Sequence, residues 1–280
     1  MRKVRDVVGL FPFFIYVFIF FIAPTLQVAV LAFQDQDGAW TLGNLQDAFE
    51  GVYRDGFGQS LKLAALSALS GTIVGFAAAY ALLKTENRLL RRVYQTASGV
   101  LANTGGVPLA FMFIATVGTY GLLTQLLLNF GIDLYGGSWT LFKFSGLLLV
   151  YLYFQVPLML IVILPALDAQ KIAWREAATN LGATTRQYWL HVGGPILFAP
   201  TAGAFLLLFA NAFAAYATAS ALTSGTIPLV PLQIAALLAG NVIADRANLG
   251  YALGFGMIVF VAIAMYVYNW TQKRAAKWLQ

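Results

Sequence analysis

The sequence contains no cysteine, a single histidine and very little charge. Without Cys there can be no disulfide, no thiolate chemistry and no Cys-ligated metal site. No metal site of another kind is expected either. Only 10% of residues are charged, against about 25% in soluble domains. There is no Gly-Lys pair anywhere, hence no Walker A loop, and ATP hydrolysis by this chain is excluded. What fills the space is oil: 60% hydrophobic residues and a mean hydropathy of +0.76 over 280 residues. This is the composition of an all-α integral membrane protein whose spans take up most of its length. The net charge of +6 then belongs to cytoplasmic loops rather than to a nucleic-acid surface.

Charge-free runs set the spans. The basic start and apolar run of the N-terminus imitate a signal peptide, but Val7–Phe33 is 27 residues without a charge. That is too long for a signal core, so it reads as a retained first span. Leu63–Leu83, Phe144–Leu167 and Ala247–Gln272 each suit one crossing of about 20 residues. Two runs are longer, Val93–Ile132 with 40 residues and Val192–Ala244 with 53. In the first, Gly99, Gly105, Gly106 and Pro108 predict a helix broken near its start. Its remainder, 119–132, has the leucine spacing of a short surface helix. In the second, Ile196–Leu222 is a span, and 229–244 is short enough to be a re-entrant or surface segment. With the N-terminus inside, six spans put 13 of the 17 Lys and Arg in the cytoplasm and leave Arg54, Lys62, Lys143 and Arg246 outside. Extra crossings would erode that asymmetry, so both termini are expected in the cytoplasm.

One polar passage interrupts the oil: WREAATNLGATTRQYWLHVGGP, Trp174–Pro195. Asp168 can cap a helix running to Leu181, with Gly182 as its left-handed C-terminal residue. Thr184 and Gln187 offer a capping box for a second helix. In the first helix Trp174, Ala177, Ala178 and Leu181 form one stripe at i, i+3, i+4 and i+7. Large residues anchor it, small ones lie between, and Glu176 and Asn180 sit at its rim. Such a face fits a groove on a partner; it equally fits a helix resting on the bilayer or on its own neighbours.

The pattern Glu176-Ala177-Ala178, Gly182, Val192 and Pro195 resembles the EAA loop of binding-protein-dependent (type I) ABC importer permeases. Val192 stands where Ile is usual, and Gly194 departs from the usual Leu. The resemblance covers roughly residues 60–270, its specific part being 165–200. It implies six transmembrane helices with a cytoplasmic coupling helix between spans 4 and 5. It implies residues 1–280 as one permease domain: first span and external loop 1–57, core bundle 58–272 with coupling loop 168–194, and tail 273–280. Glu176, Ala177, Ala178 and Gly182, with Trp174 and Leu181, would be the contact to a cytoplasmic ATPase dimer. That ATPase would carry the ATP and Mg; this chain would bind no cofactor and would not be an enzyme. Further implied partners are a second permease subunit, with a heterodimer favoured over a homodimer, and an extracytoplasmic solute-binding protein. The implied location is a bacterial inner membrane.

Polar residues within spans are the candidates for the solute path: Asn211, Gln155, Asn103, Tyr216 and Thr218. Asn211, Ala215, Thr218 and Leu222 would share one face of a continuous helix. Such a face suits a water-lined path or tight helix packing. Gly71-x-x-x-Gly75 and Gly250-x-x-x-Gly254 suit packing. The spans hold no Asp, Glu or His beyond their ends, which weakens an ion-coupled carrier without removing one that uses backbone carbonyls. The compact chain resembles permeases for polyamines, iron or phosphonates more than sugar permeases. A small polar or charged solute, polyamine-like, is the resulting expectation, with a sugar-type permease as the alternative.

Overall fold

In a bilayer every backbone N–H and C=O must find an internal partner, and helices do this within one segment. The computed structural model describes residues 11–240 and 246–276, and among them the elements are helices; the basic residues Arg2, Lys3, Arg5 and Lys277 of the charge count lie outside that range. Six stretches are long and apolar enough to cross a membrane: Phe11–Ala32, Gly51–Leu83, Gly106–Asn129, Phe144–Asp168, Thr185–Phe213 and Ala247–Trp270. The chain is a multi-pass membrane protein.

We number the helices α1 (Phe11–Ala32), α2 (Gly43–Ala48), α3 (Gly51–Leu83), α4 (Arg88–Asn103), α5 (Gly106–Val117), α6 (Leu122–Asn129), α7 (Phe144–Asp168), α8 (Ile172–Asn180), α9 (Thr185–Phe213), α10 (Ala217–Thr223), α11 (Val230–Leu238) and α12 (Ala247–Ala276). Two compact units form, one from the chain up to Phe57 with Pro228–Phe260, the other from Gly58–Ile227 with the chain from Val261 onward.

In the first unit a tight turn follows α1. The Asp35 carboxylate accepts from the N–H of Asp37 and Ala39 at 3.0 and 2.8 Å. Asn248 donates to the carbonyls of Gln34 and Asp35 at 2.9 and 2.8 Å, and Asn44 to that of Gln34 at 2.7 Å. The segment expected at 229–244 holds the short helix α11; residues 241–245 lie outside the described range.

In the second unit α3, α7 and α9 build the core from Ala68, Ala79, Leu82, Met159, Ile163, Leu167, Leu197, Ala204 and Leu208. The small face of α3 is what lets α7 come close. A Cβ on Gly71 would lie 2.8 Å from Gln155 Cβ, and one on Gly75 would lie 2.5 Å from Met159 Cβ. The spacing Gly71-x-x-x-Gly75 is thus a packing face.

Three boundaries differ from the sequence expectation. The second span starts at Gly51, well before Leu63, because the helix runs on through Arg54, Asp55 and Lys62. The fifth is a helix from Thr185 to Phe213 rather than 196–222. Its first turns pass through the π-turn Trp189–Gly193, so helix and polar loop are continuous. The chain then leaves the helix at Ala214 and resumes at Ala217. The break expected among the glycines falls at Thr104–Gly105, between α4 and α5.

Candidate functional site

The polar passage forms a short helix presented outward. Asp168 does not cap it: that residue ends α7 and its carboxylate pairs with the Arg91 guanidinium. The helix α8 begins instead at Ile172, with Lys171 as an extended N-terminal residue. Its C-terminus closes as a Schellman motif. Gly182, at φ +80°, donates to the Thr179 carbonyl and Ala183 donates to that of Ala178, both at 2.9 Å. A Cβ on Gly182 would meet open space, so glycine is needed there for its backbone angle and not for room. The capping box is present as expected: Thr184 N–H donates to Gln187 Oε1 at 2.8 Å, and Gln187 N–H to Thr184 Oγ1 at 3.3 Å.

Of the stripe on α8, Leu181 is 88% exposed, Trp174 36%; Glu176 and Ala177 are exposed and Ala178 is half-buried. Leu181 is thus an open apolar side chain between the Schellman end of α8 and the capping box of α9.

The second site lies where two helix breaks meet. The gap between α4 and α5 and the gap between α9 and α10 both open on one cavity of about 380 Å³. Asn103, Asn211, Tyr216 and Thr218 all line it, with Phe154, Gly105, Gly106, Ala214, Ala215 and Ala217. The Thr218 hydroxyl, buried, accepts from Gly106 N–H at 2.8 Å. The Tyr151 hydroxyl donates to the Ala215 carbonyl at 3.1 Å. Broken helices that line a cavity present backbone dipoles to its contents, which continuous helices withhold. No charged side chain lines it.

Gln155 is not brought there. It is fully buried, donating to the Leu208 carbonyl at 2.9 Å and, more weakly, to Ser67 Oγ at 3.4 Å, so it ties α7 to α9 and α3. The continuous face of Asn211, Ala215, Thr218 and Leu222 is also corrected. The helix is broken at Ala214–Tyr216, and Leu222 is buried away from the cavity that the other three share. Sequence reasoning missed Phe154 and Ala214. Nothing local signals that break, which has neither Gly nor Pro and is held by Tyr151 from α7.

Removing the Thr218 hydroxyl tests the clasp between the two breaks. Thr218→Val leaves the half-buried N–H at Gly106 without its partner. The expected loss is about 0.5–1.5 kcal/mol, read as a lower thermal midpoint of the detergent-solubilised protein.

No protein-family model and no curated protein sequence matches this chain. Solved structures do. A bacterial ABC transporter involved in the import of the acidic polysaccharide alginate superposes with a TM-score of 0.75 over 98% of this chain and 96% of that one, at 18% identity. The chain has the fold of an ABC importer permease. The bacterial alginate ABC transporter in complex with an alginate pentasaccharide-bound periplasmic protein gives 0.77 at 18% identity, over 98% and 95% of the two chains. The MetNI methionine ABC transporter in inward-facing conformations gives 0.57 at 14% identity, over 79% of this chain and 94% of that one.

Proposed function

We propose that this chain is the transmembrane permease subunit of an ABC importer, driven through α8 by a separate ATPase. The observation that carries the proposal is α8 itself. It is a helix with a closed C-terminus whose Trp174, Ala177 and Leu181 are exposed, in a chain with the importer permease fold. Glu176, Ala177, Ala178 and Gly182 are assigned to the docking contact, ATP and Mg to the ATPase dimer. A binding protein delivers the solute from outside, and a second permease subunit, preferably a different chain, completes the path. Both termini are assigned to the cytoplasm of a bacterium. Reporters fused after Leu181 and after Ser224 should therefore report inside and outside respectively.

Within the chain we assign the solute path to the cavity of Asn103, Asn211, Tyr216 and Thr218, and assign Gln155 to packing. The solute is small and polar. The cavity offers amide, hydroxyl and carbonyl groups, with no carboxylate to favour a polyamine and no cation to favour an anion. Discrimination then falls largely to the binding protein.

The chain has no cysteine, so Leu181→Cys is a unique thiol at one end of the proposed contact. In membranes of cells that make the whole system, a thiol-anchored photo-crosslinker there should capture an ATP-binding cassette protein. Capture of lipid alone would count against the assignment.

A further inference from the structure

A second cavity, of about 360 Å³, lies where α3 and α7 end and α8 begins. Tyr80, Tyr188 and Trp189 wall it, with Tyr80 and Trp189 edge to face at 5.4 Å. Lys84, Lys171 and Arg175 stand around it. None of the three has an ion-pair partner among the described residues, whereas the one carboxylate present, Asp168, is taken by Arg91. Lys84 lies 4.5 Å over the Tyr80 ring and Lys171 6.0 Å over that of Trp174. The rings hold these cations in place without neutralising them. The N-terminus of α8, uncapped by any side chain, opens on the same spot. The local excess of positive charge is therefore real and unspent, and it lies at the ends of two membrane-spanning helices.

Trp189 is also a wall of an adjoining groove of about 450 Å³, lined by Thr72, Ile73, Phe76, Leu197 and Phe198. From Phe76 to Thr72 this groove follows about 6 Å of α3, away from the charged end and into the apolar length of the span. Ile73 and Phe198 are 62% and 57% exposed. Trp189 reaches the groove from a π-turn over Trp189–Gly193. A Cβ on Gly194 would press to 2.4 Å from the Trp189 carbonyl oxygen, so a side chain at 194 would force this turn to shift.

A cationic, aromatic cavity at the end of a span, sharing a wall with an apolar groove that runs along the span, has the shape and charge of one amphiphile. We infer that this is a binding site for an anionic phospholipid, with the phosphate among Lys84, Lys171 and Arg175 and an acyl chain against Trp189, Phe76 and Ile73. The phosphate chemistry alone would also suit a free phosphate anion. The groove commits the site to the lipid, because a free anion leaves it empty. The inference needs only that the chain spans a membrane and stands apart from the importer reading.

Trp189 reports on its own site. The full chain and its Trp189→Phe variant are reconstituted in phosphatidylcholine nanodiscs, and the difference in their emission isolates Trp189. A fixed fraction of the lipid is then replaced by acyl-brominated phosphatidylglycerol or acyl-brominated phosphatidylcholine. The expected result is stronger quenching of Trp189 by the brominated phosphatidylglycerol. That excess should be lost when Lys84→Gln, Lys171→Gln and Arg175→Gln are combined. These three side chains are exposed, so the variant is expected to fold, and unchanged quenching by brominated phosphatidylcholine verifies it. Gly194→Leu should remove the excess independently by closing the groove. Equal quenching by the two lipids would overturn the proposal, as would an excess that survives the triple variant. A response of Trp189 to inorganic phosphate in phosphatidylcholine discs, with no preference between brominated lipids, would assign the cations to a free anion and overturn it as well.

Discussion

Ala177→Arg should leave the protein inserted and folded yet cut solute uptake at least about tenfold. Ala177 is exposed on the outward side of α8, so nothing within the chain has to move to admit a long cation. The change acts only on what docks there. Between Trp174 and Leu181 the stripe is narrow at its middle, and a guanidinium on its stem would hold an approaching surface away. Losing close contact at one central position of an interface costs more than about 1.4 kcal/mol, which is the factor of ten. Uptake by whole cells against the amount of protein in the membrane separates this from a folding defect. Uptake unchanged at equal membrane content would mean that α8 carries no coupling.

Gly75→Leu should have the opposite character, removing folded protein altogether. A Cβ alone at 75 would stand 2.5 Å from Met159 Cβ and 2.8 Å from the Val156 carbonyl oxygen. The obstruction is therefore partly backbone, which cannot swing aside like a side-chain tip. Overpacking of a closed core costs about 1–3 kcal/mol, and more where helices must part. Here α3 and α7 must part, and with them the fully buried Ala79, Met159 and Ile163. Size-exclusion profiles of the solubilised protein should shift from a single peak to aggregate. Gly99→Ala is the control, since a Cβ there meets nothing within 4 Å and alanine is the better helix former.

The signals that made the architecture readable were of two kinds. Uninterrupted apolar runs gave six crossings because an unpaired charge in the hydrocarbon is too costly to scatter along a span. Gly182 and the Thr184–Gln187 pair fixed the end of one short helix and the start of the next, because local backbone chemistry decides caps. The start of α8 was misplaced for a tertiary reason. Asp168 has the right chemistry for a cap, but an arginine 77 residues away takes its carboxylate. The break at Ala214–Tyr216 is of the same kind. Its sequence is helix-compatible, and a tyrosine from α7 holds the freed carbonyl.

The candidate cavity was half legible. Asn103, Asn211, Tyr216 and Thr218 stood out as polar residues in apolar runs, and the fold gathers all four. Gln155 stood out by the same criterion and was turned the other way, into the helix packing. Polarity within a span marks a residue that needs a partner, and the sequence alone does not say whether that partner is a solute or a neighbouring helix. Gly194 carried its own signal as a departure from the importer motif. In the structure it directly follows the π-turn and lines the groove beside Trp189.

The most direct test of the central claim is affinity purification of the full-length chain from membranes in mild detergent, with identification of what remains bound. An ATP-binding cassette protein is expected in the complex, lost when Glu176 and Ala177 are altered, together with a second permease chain. Recovery of the chain alone, under conditions that hold a known importer together, would contradict it and leave a self-contained carrier as the better explanation.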